Sequence, residues 1–168
     1  FISGRAAYLV DSGDWNNALA SVSVVYDGLA PFFVATDQYV EGVLALSKDD
    51  QAGALSALVG IGGAEPVTVR NRRAMVPRLL HLELEGQIEL AAGNTEKAIA
   101  LMTEAAELEA TAPPEYGPAQ PVQPAAELLA DTYLAIGENE SARQNYQLAL
   151  KSFVGRQRSL AGLKQASH

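Results

Sequence analysis

The chain has no cysteine, one tryptophan, two histidines and two methionines among its 168 residues. Without cysteine it can form no disulfide, no thiolate zinc or iron–sulfur centre, and no cysteine nucleophile. That absence leaves the compartment open between cytoplasm and periplasm. Positive charge is also scarce: twelve Lys and Arg stand against twenty Asp and Glu, for a net charge of −8. Such a balance argues against binding nucleic acid or an anionic membrane surface. Long apolar runs are missing as well. The longest, Leu29 to Ala35, has seven residues, far below the roughly 20 that span a bilayer, so no membrane insertion is expected. The chain opens at Phe1 without methionine or a charged-then-apolar leader, so further chain is expected upstream. What remains, 48% hydrophobic and 19% charged, suits one domain or a short stack of repeats burying roughly 70% of its unfolded surface.

An internal repeat organises the chain. Ala18, Ala98 and Ala142 each follow a glycine (Gly13, Gly93, Gly137) by five residues, and Ala54 follows Asp49 at the same interval. Twelve residues before each alanine stands a small residue: Ala6, Gly42, Gly86 or Ala130. Four residues after come Val22, Leu58, Met102 and Tyr146, and seven after come Val25, Ile61, Ala105 and Ala149. This is the spacing of an antiparallel helix pair. Small residues let two backbones approach, and positions four and seven further on share the second helix's buried stripe. The glycine ends the first helix in a left-handed conformation. Asp14, Asn94 or Thr95, and Asn139 stand where the second helix needs its N-cap.

The sequence resembles the tetratricopeptide repeat family, whose motif pairs a small residue and an aromatic in the first helix with Ala-x3-Phe in the second. The fullest copy runs Leu129-Ala130-x2-Tyr133, a turn at Gly137, then Ala142-x3-Tyr146-x2-Ala149. In the copy before it, Glu89 replaces the aromatic and Met102 takes the Phe position. No copy keeps the family's closing proline. The stretches Gly13-Asp14-Trp15, Ala98 to Glu109, and Glu115-Tyr116-Gly117-Pro118 running into Glu127-Leu128-Leu129 also resemble the C-terminal part of a group of uncharacterised bacterial tetratricopeptide proteins. The resemblance implies further repeats upstream, a binding or scaffolding role, and no catalytic residues or cofactor.

The expected architecture is a single all-α domain over 1–168, a right-handed stack of about four antiparallel helix pairs. The pairs span 1–28, 35–62, 77–110 and 122–152, with a capping helix over 156–166. Surplus length falls in loops at Gly60 to Pro66 and at Pro113 to Pro124, which holds five of the eight prolines and is expected to be an ordered excursion anchored by Tyr116.

Patterns that carry chemistry are few. Gly60-Ile61-Gly62-Gly63-Ala64-Glu65 begins like a dinucleotide fingerprint, but it follows a helix and ends in Glu65, so it reads as a loop. No phosphate-loop lysine, serine elbow or His-Glu-x-x-His stretch occurs. His81 and Glu85 lie four apart on one predicted helix but lack a converging third ligand, and His168 ends the chain, so no metal site is expected. The glutamates from Glu83 to Glu115 read as solvated helix faces. Arg70, Arg72, Arg73 and Arg78 form a basic patch able to grip an acidic group, or else arginines paired with nearby glutamates.

Stacked helix pairs expose a concave face lined by the first helix of each pair. The register places Ala7 and Val10 there, then Tyr39, Val43 and Leu46, then Glu83, Gln87 and Leu90, then Glu127, Asp131 and Leu134. Glu83, Gln87, Glu127 and Asp131 would form an exposed acidic wall suited to a basic or amphipathic segment. The expected function is a non-catalytic protein–protein interaction scaffold or assembly module that binds a peptide or partner helix in this groove. The rivals are an accessory domain of a larger enzyme and a small-ligand-binding helical domain with a pocket near Tyr39 and Tyr116.

Overall fold

Helix boundaries fall where the backbone turns left-handed. Gly13, Gly93 and Gly137 have φ of 64°, 85° and 83°, a region that costs a glycine nothing. Asp49 takes the same role at φ 58° in the one turn that lacks a glycine, as aspartate tolerates better than most residues. The computed structural model describes residues 1–65, 67, 71–113 and 122–167. Among the described residues there is no strand, and eight α-helices follow one another. They are α1 (Ile2–Ser12), α2 (Pro31–Leu46), α3 (Gln51–Ile61), α4 (Arg72–Ala91), α5 (Thr95–Ala110), α6 (Ala125–Ala135), α7 (Asn139–Ser152) and α8 (Gln157–Gln165).

Three hairpins, α2–α3, α4–α5 and α6–α7, are each closed by a short turn. Successive hairpins pack on one another: α2 and α3 lie against α4, and α5 lies against α6. α1 packs on α2 at one end, and α8 packs on α7 at the other, close to the range expected for a capping helix. The largest core cluster joins α1 to α4 through residues such as Leu9, Tyr39, Ile61 and Leu80. Smaller clusters join α4, α5 and α6, then α6, α7 and α8.

The expected first pair, 1–28, is not a pair. After α1 the chain makes a 3-10 turn at Ala18–Ser21, capped by the Asn17 side chain rather than by Asp14, and then runs without helix to Ala30. Val22, Val24 and Val25 interleaved with serines disfavour helix, and tertiary contacts hold the segment instead. The buried Arg5 guanidinium donates to the carbonyls of Leu19 and Ala20 at 2.8 and 3.2 Å. Tyr26 Oη donates to Asp37 at 3.0 Å. Ala18, the repeat's small residue, is exposed.

The seams of the other pairs follow the small-residue register. Ala54, Ala98 and Ala142 are fully buried, and a β-carbon on Gly86 would lie 2.9 Å from Met102 Cγ and 3.3 Å from the Ala98 carbonyl oxygen. Gly42 differs, since a β-carbon there would overlap the Leu84 side chain of the next hairpin. The glycine loop after α3 is a packing junction: a β-carbon on Gly63 would meet the Pro77 backbone at 2.5 Å. Pro77 lies inside α4, where it cannot donate a hydrogen bond to the Arg73 carbonyl. Of the Pro113–Pro124 excursion, 114–121 (with Tyr116) lie outside the described residues, as do Pro66, Arg70 and His168.

Candidate functional site

The first helices of the three hairpins repeat at an interval of 44 residues, so Tyr39, Glu83 and Glu127 occupy one position and Val43, Gln87 and Asp131 another. The two rows differ in fate. Tyr39, Glu83 and Glu127 are buried within the stack. Val43, Gln87 and Asp131 face one hollow of about 280 Å³. One wall comes from the end of α1 and the turn after it, through Val10, Gly13 and Trp15. Leu90 of α4 and Leu128, Thr132 and Ala135 of α6 supply apolar surface opposite. Gln123 and Arg158 add polar groups, and the Tyr39 ring reaches the hollow although the residue is only 1% exposed.

Hydrogen bonds fix the polar lining. Gln87 Nε2 donates to Tyr39 Oη at 3.0 Å and to the Glu83 carbonyl at 3.3 Å. Asp131 takes three donors: Tyr146 Oη at 2.6 Å, Gln123 Nε2 at 2.9 Å and Arg158 Nη2 at 2.9 Å. Burial and the negative neighbour Glu83 hold the Tyr39 hydroxyl well above its usual pKa. The Tyr146 hydroxyl is raised by burial and by its bond to Asp131. Both hydroxyls therefore stay protonated near neutral pH: Tyr146 donates to Asp131, while Tyr39 accepts from Gln87.

Two arginines tie the ends of the chain together beside the hollow. Arg158 Nη1 donates to the Val10 carbonyl at 2.7 Å, and Arg156 bridges Glu127 at 2.7 and 2.9 Å to Asp11 at 2.6 Å. Ser159 Oγ also donates to Glu127. α1 and the start of α8, 145 residues apart in sequence, are thereby drawn together across the stack.

Of the nine expected groove residues, Tyr39, Val43, Gln87, Leu90 and Asp131 meet in the hollow. Leu46 instead packs against the large core, and Leu134 packs beside Ala142 and Tyr146. The exposed acidic wall is corrected. Glu127 is buried and spends its charge on Arg156, with Arg158 Nε 3.7 Å away. Glu83 is buried with neither carboxylate oxygen hydrogen-bonded, and desolvation, then the neighbouring Glu109, push its pKa well above the usual carboxylate range. Glu109 accepts from Ala125 N at 2.8 Å, yet burial still lifts its carboxyl to about 7. These two glutamates are not solvated helix faces.

The described arginines of the basic patch point to separate partners. Arg72 Nε donates to the Pro113 carbonyl at 3.3 Å, Arg73 lies 5.4 Å from the Phe32 ring centroid, and Arg78 pairs with Glu104 at 2.6 Å and donates to the Ala64 carbonyl at 2.9 Å. His81 Nδ1 lies 2.8 Å from the Gly62 carbonyl, while Lys97 sits 3.3 Å from Glu85 and 2.7 Å from Glu89. Lys97 pairs with the carboxylates that would join that histidine in a metal site, His81 Nε2 lies 3.7 Å from Glu85, and no group of three metal-ligating residues occurs among the described residues.

The sequence reading missed Trp15, Gln123, Asp11, Arg156 and Arg158. Trp15 stood inside the presumed first pair and the two arginines inside a presumed cap, and no spacing rule links residues at opposite ends of a chain. No family model, no curated protein and no solved structure matches the chain. No helix among the described residues is long and apolar enough to cross a membrane.

Proposed function

We propose that the protein is a non-catalytic interaction module of tetratricopeptide-like architecture, a right-handed helical stack that receives part of a protein partner in its concave hollow. One observation carries this reading: Val43, Gln87 and Asp131, equivalent positions on three successive first helices, converge on the same space. Repeat proteins build recognition surfaces in this way, one helix contributing one contact. The lining favours binding over chemistry. Asp131, its one carboxylate, is tied to three donors, so it holds the wall in place rather than waiting for a substrate proton. A strongly basic partner loses its support once Glu83 and Glu127 are buried, and the fitting partner is an amphipathic segment with an uncharged anchor.

Affinity capture tests this directly, with the wild-type chain and Ala135→Trp as parallel baits. Ala135 is exposed at the edge of the hollow, so the larger side chain fills the hollow without entering the core. A protein retained by the wild type and reduced about tenfold on the variant is expected. An identical retained set on both baits would contradict the reading.

A further inference from the structure

We propose that the hollow is a receptor for a single uncharged phenol ring, its hydroxyl held between the Tyr39 hydroxyl and the side-chain amide of Gln87. The proposal rests on the reading of the hollow as the recognition site and adds the chemistry of what enters it.

Size sets the first limit. Drug-sized ligands fill about 300–1,000 Å³, whereas a dry cavity of about 150 Å³ already accepts benzene. At about 280 Å³ the hollow takes one ring with a short substituent, the size of a single anchoring side chain. Charge sets the second. The charged lining groups, Arg158 and Asp131, are paired at 2.9 Å. A charged ligand would give up its hydration for a wall already neutralised, at a cost an uncharged ligand avoids.

The unspent hydrogen-bonding capacity identifies the polar tip. Both Gln87 amide hydrogens are directed, at Tyr39 Oη and at the Glu83 carbonyl, which leaves Gln87 Oε1 as an acceptor. Tyr39 Oη accepts from Gln87, and among the described residues its own hydrogen meets no acceptor. The lining therefore offers one donor and one acceptor side by side, since the Gln87 amide reaches the Tyr39 hydroxyl. A phenol hydroxyl, which both donates and accepts, matches that set. A purely aliphatic occupant would leave both unsatisfied. Aromatic and aliphatic walls from Trp15, Val43, Leu90 and Leu128 then receive the ring body.

Trp15, the chain's one tryptophan, makes the hollow its own reporter. The experiment titrates the intact protein with p-cresol, following Trp15 fluorescence and the amide and methyl resonances of Val43 and Leu90, with benzoate and benzamidine as charged isosteres. Saturable binding of p-cresol with Kd of about 1 mM or tighter is expected, with both charged rings weaker by about tenfold or more. Ala135→Trp and, independently, Val43→Trp should abolish it, with thermal melts confirming that each variant is folded. N-acetyl-tyrosinamide separates the two sources of a phenol. Binding at least as tight as p-cresol marks a tyrosine side chain of a protein, and exclusion of the amide with p-cresol still bound marks a free small phenol. The proposal is overturned if p-cresol leaves Trp15, Val43 and Leu90 unmoved, if benzoate or benzamidine binds as well, or if binding survives both filled variants. A partner captured through the hollow by a protein that ignores p-cresol would overturn this inference and leave the interaction reading standing. A phenol bound by a chain that captures no protein would do the reverse.

Discussion

Tyr39, Glu83 and Glu127 occupy the same place on three successive helices, yet each meets a different environment. Tyr39 has an amide donor from Gln87, Glu127 has two arginines and a serine, and Glu83 has no hydrogen-bond partner for its carboxylate. An unpaired buried carboxyl is held neutral, which makes stability depend on pH. Below about pH 4.5 both Glu83 and Glu109 are protonated in the folded and unfolded chains, and neither costs anything. As pH rises, the unfolded chain releases these protons first. The folded state binds more protons over that range, so stability falls, through about 7 for Glu109 and further for Glu83. The loss from Glu109 is about 3 kcal/mol or less. Urea denaturation should therefore give a lower unfolding free energy at pH 8 than at pH 5.5. Glu83→Met, which removes the buried carboxyl but keeps the chain length, should raise stability at pH 8 by about 1–3 kcal/mol and flatten the profile. Equal or greater wild-type stability at pH 8 would show that these carboxyls are ionised in the folded state.

Among the helices, the seams follow small residues in three places and fail in one. Ala98→Leu and Ala142→Leu introduce bulk at fully buried contacts and should each cost about 1–3 kcal/mol. Ala18→Leu, at the equivalent repeat position but exposed, should stay within about 0.5 kcal/mol. Thermal midpoints of the three variants check this contrast, and a loss at Ala18 as large as at Ala98 would restore the missing second helix of the first pair. The same contrast explains what was readable beforehand. The turn at Gly93, the alanine five residues later and the helices around them are local, and local spacing reports them. Ala18 matched the pattern because small residues are abundant, while the forces that unmade its helix, Arg5 on the Leu19 and Ala20 carbonyls and Tyr26 on Asp37, join distant segments. Burial of Glu83 and Glu127 was hidden for a related reason. A helical projection separates the faces of one helix, but it does not tell which face meets a neighbouring hairpin and which meets open space. Val43, Gln87 and Asp131, one turn further along, are half-buried and line the hollow.

For the molecule as a whole, two arginines just before and within the last helix reach α1 at the other end of the chain and bridge the two ends beside the hollow. The two halves of that closure are unequal. Arg156→Ala leaves buried Glu127 with only the longer Arg158 contact and the Ser159 hydroxyl and should cost about 3 kcal/mol. Asp11→Ala removes a half-exposed partner of the same arginine and should cost about 1 kcal/mol or less. Denaturant titrations of the two variants separate the cases, and similar losses would mean that the closure, rather than the buried carboxylate, carries the energy. The central claim is that partners are recognised in the hollow of this stack and not on its outside. Photo-leucine incorporated at Leu90, in the hollow, or at Leu55, exposed on α3, tests that claim with almost no change of shape. Irradiation in the presence of the captured partner should give a covalent adduct from position 90, lost in the Ala135→Trp background, and none from position 55. An adduct from position 55 with none from position 90 would contradict the account.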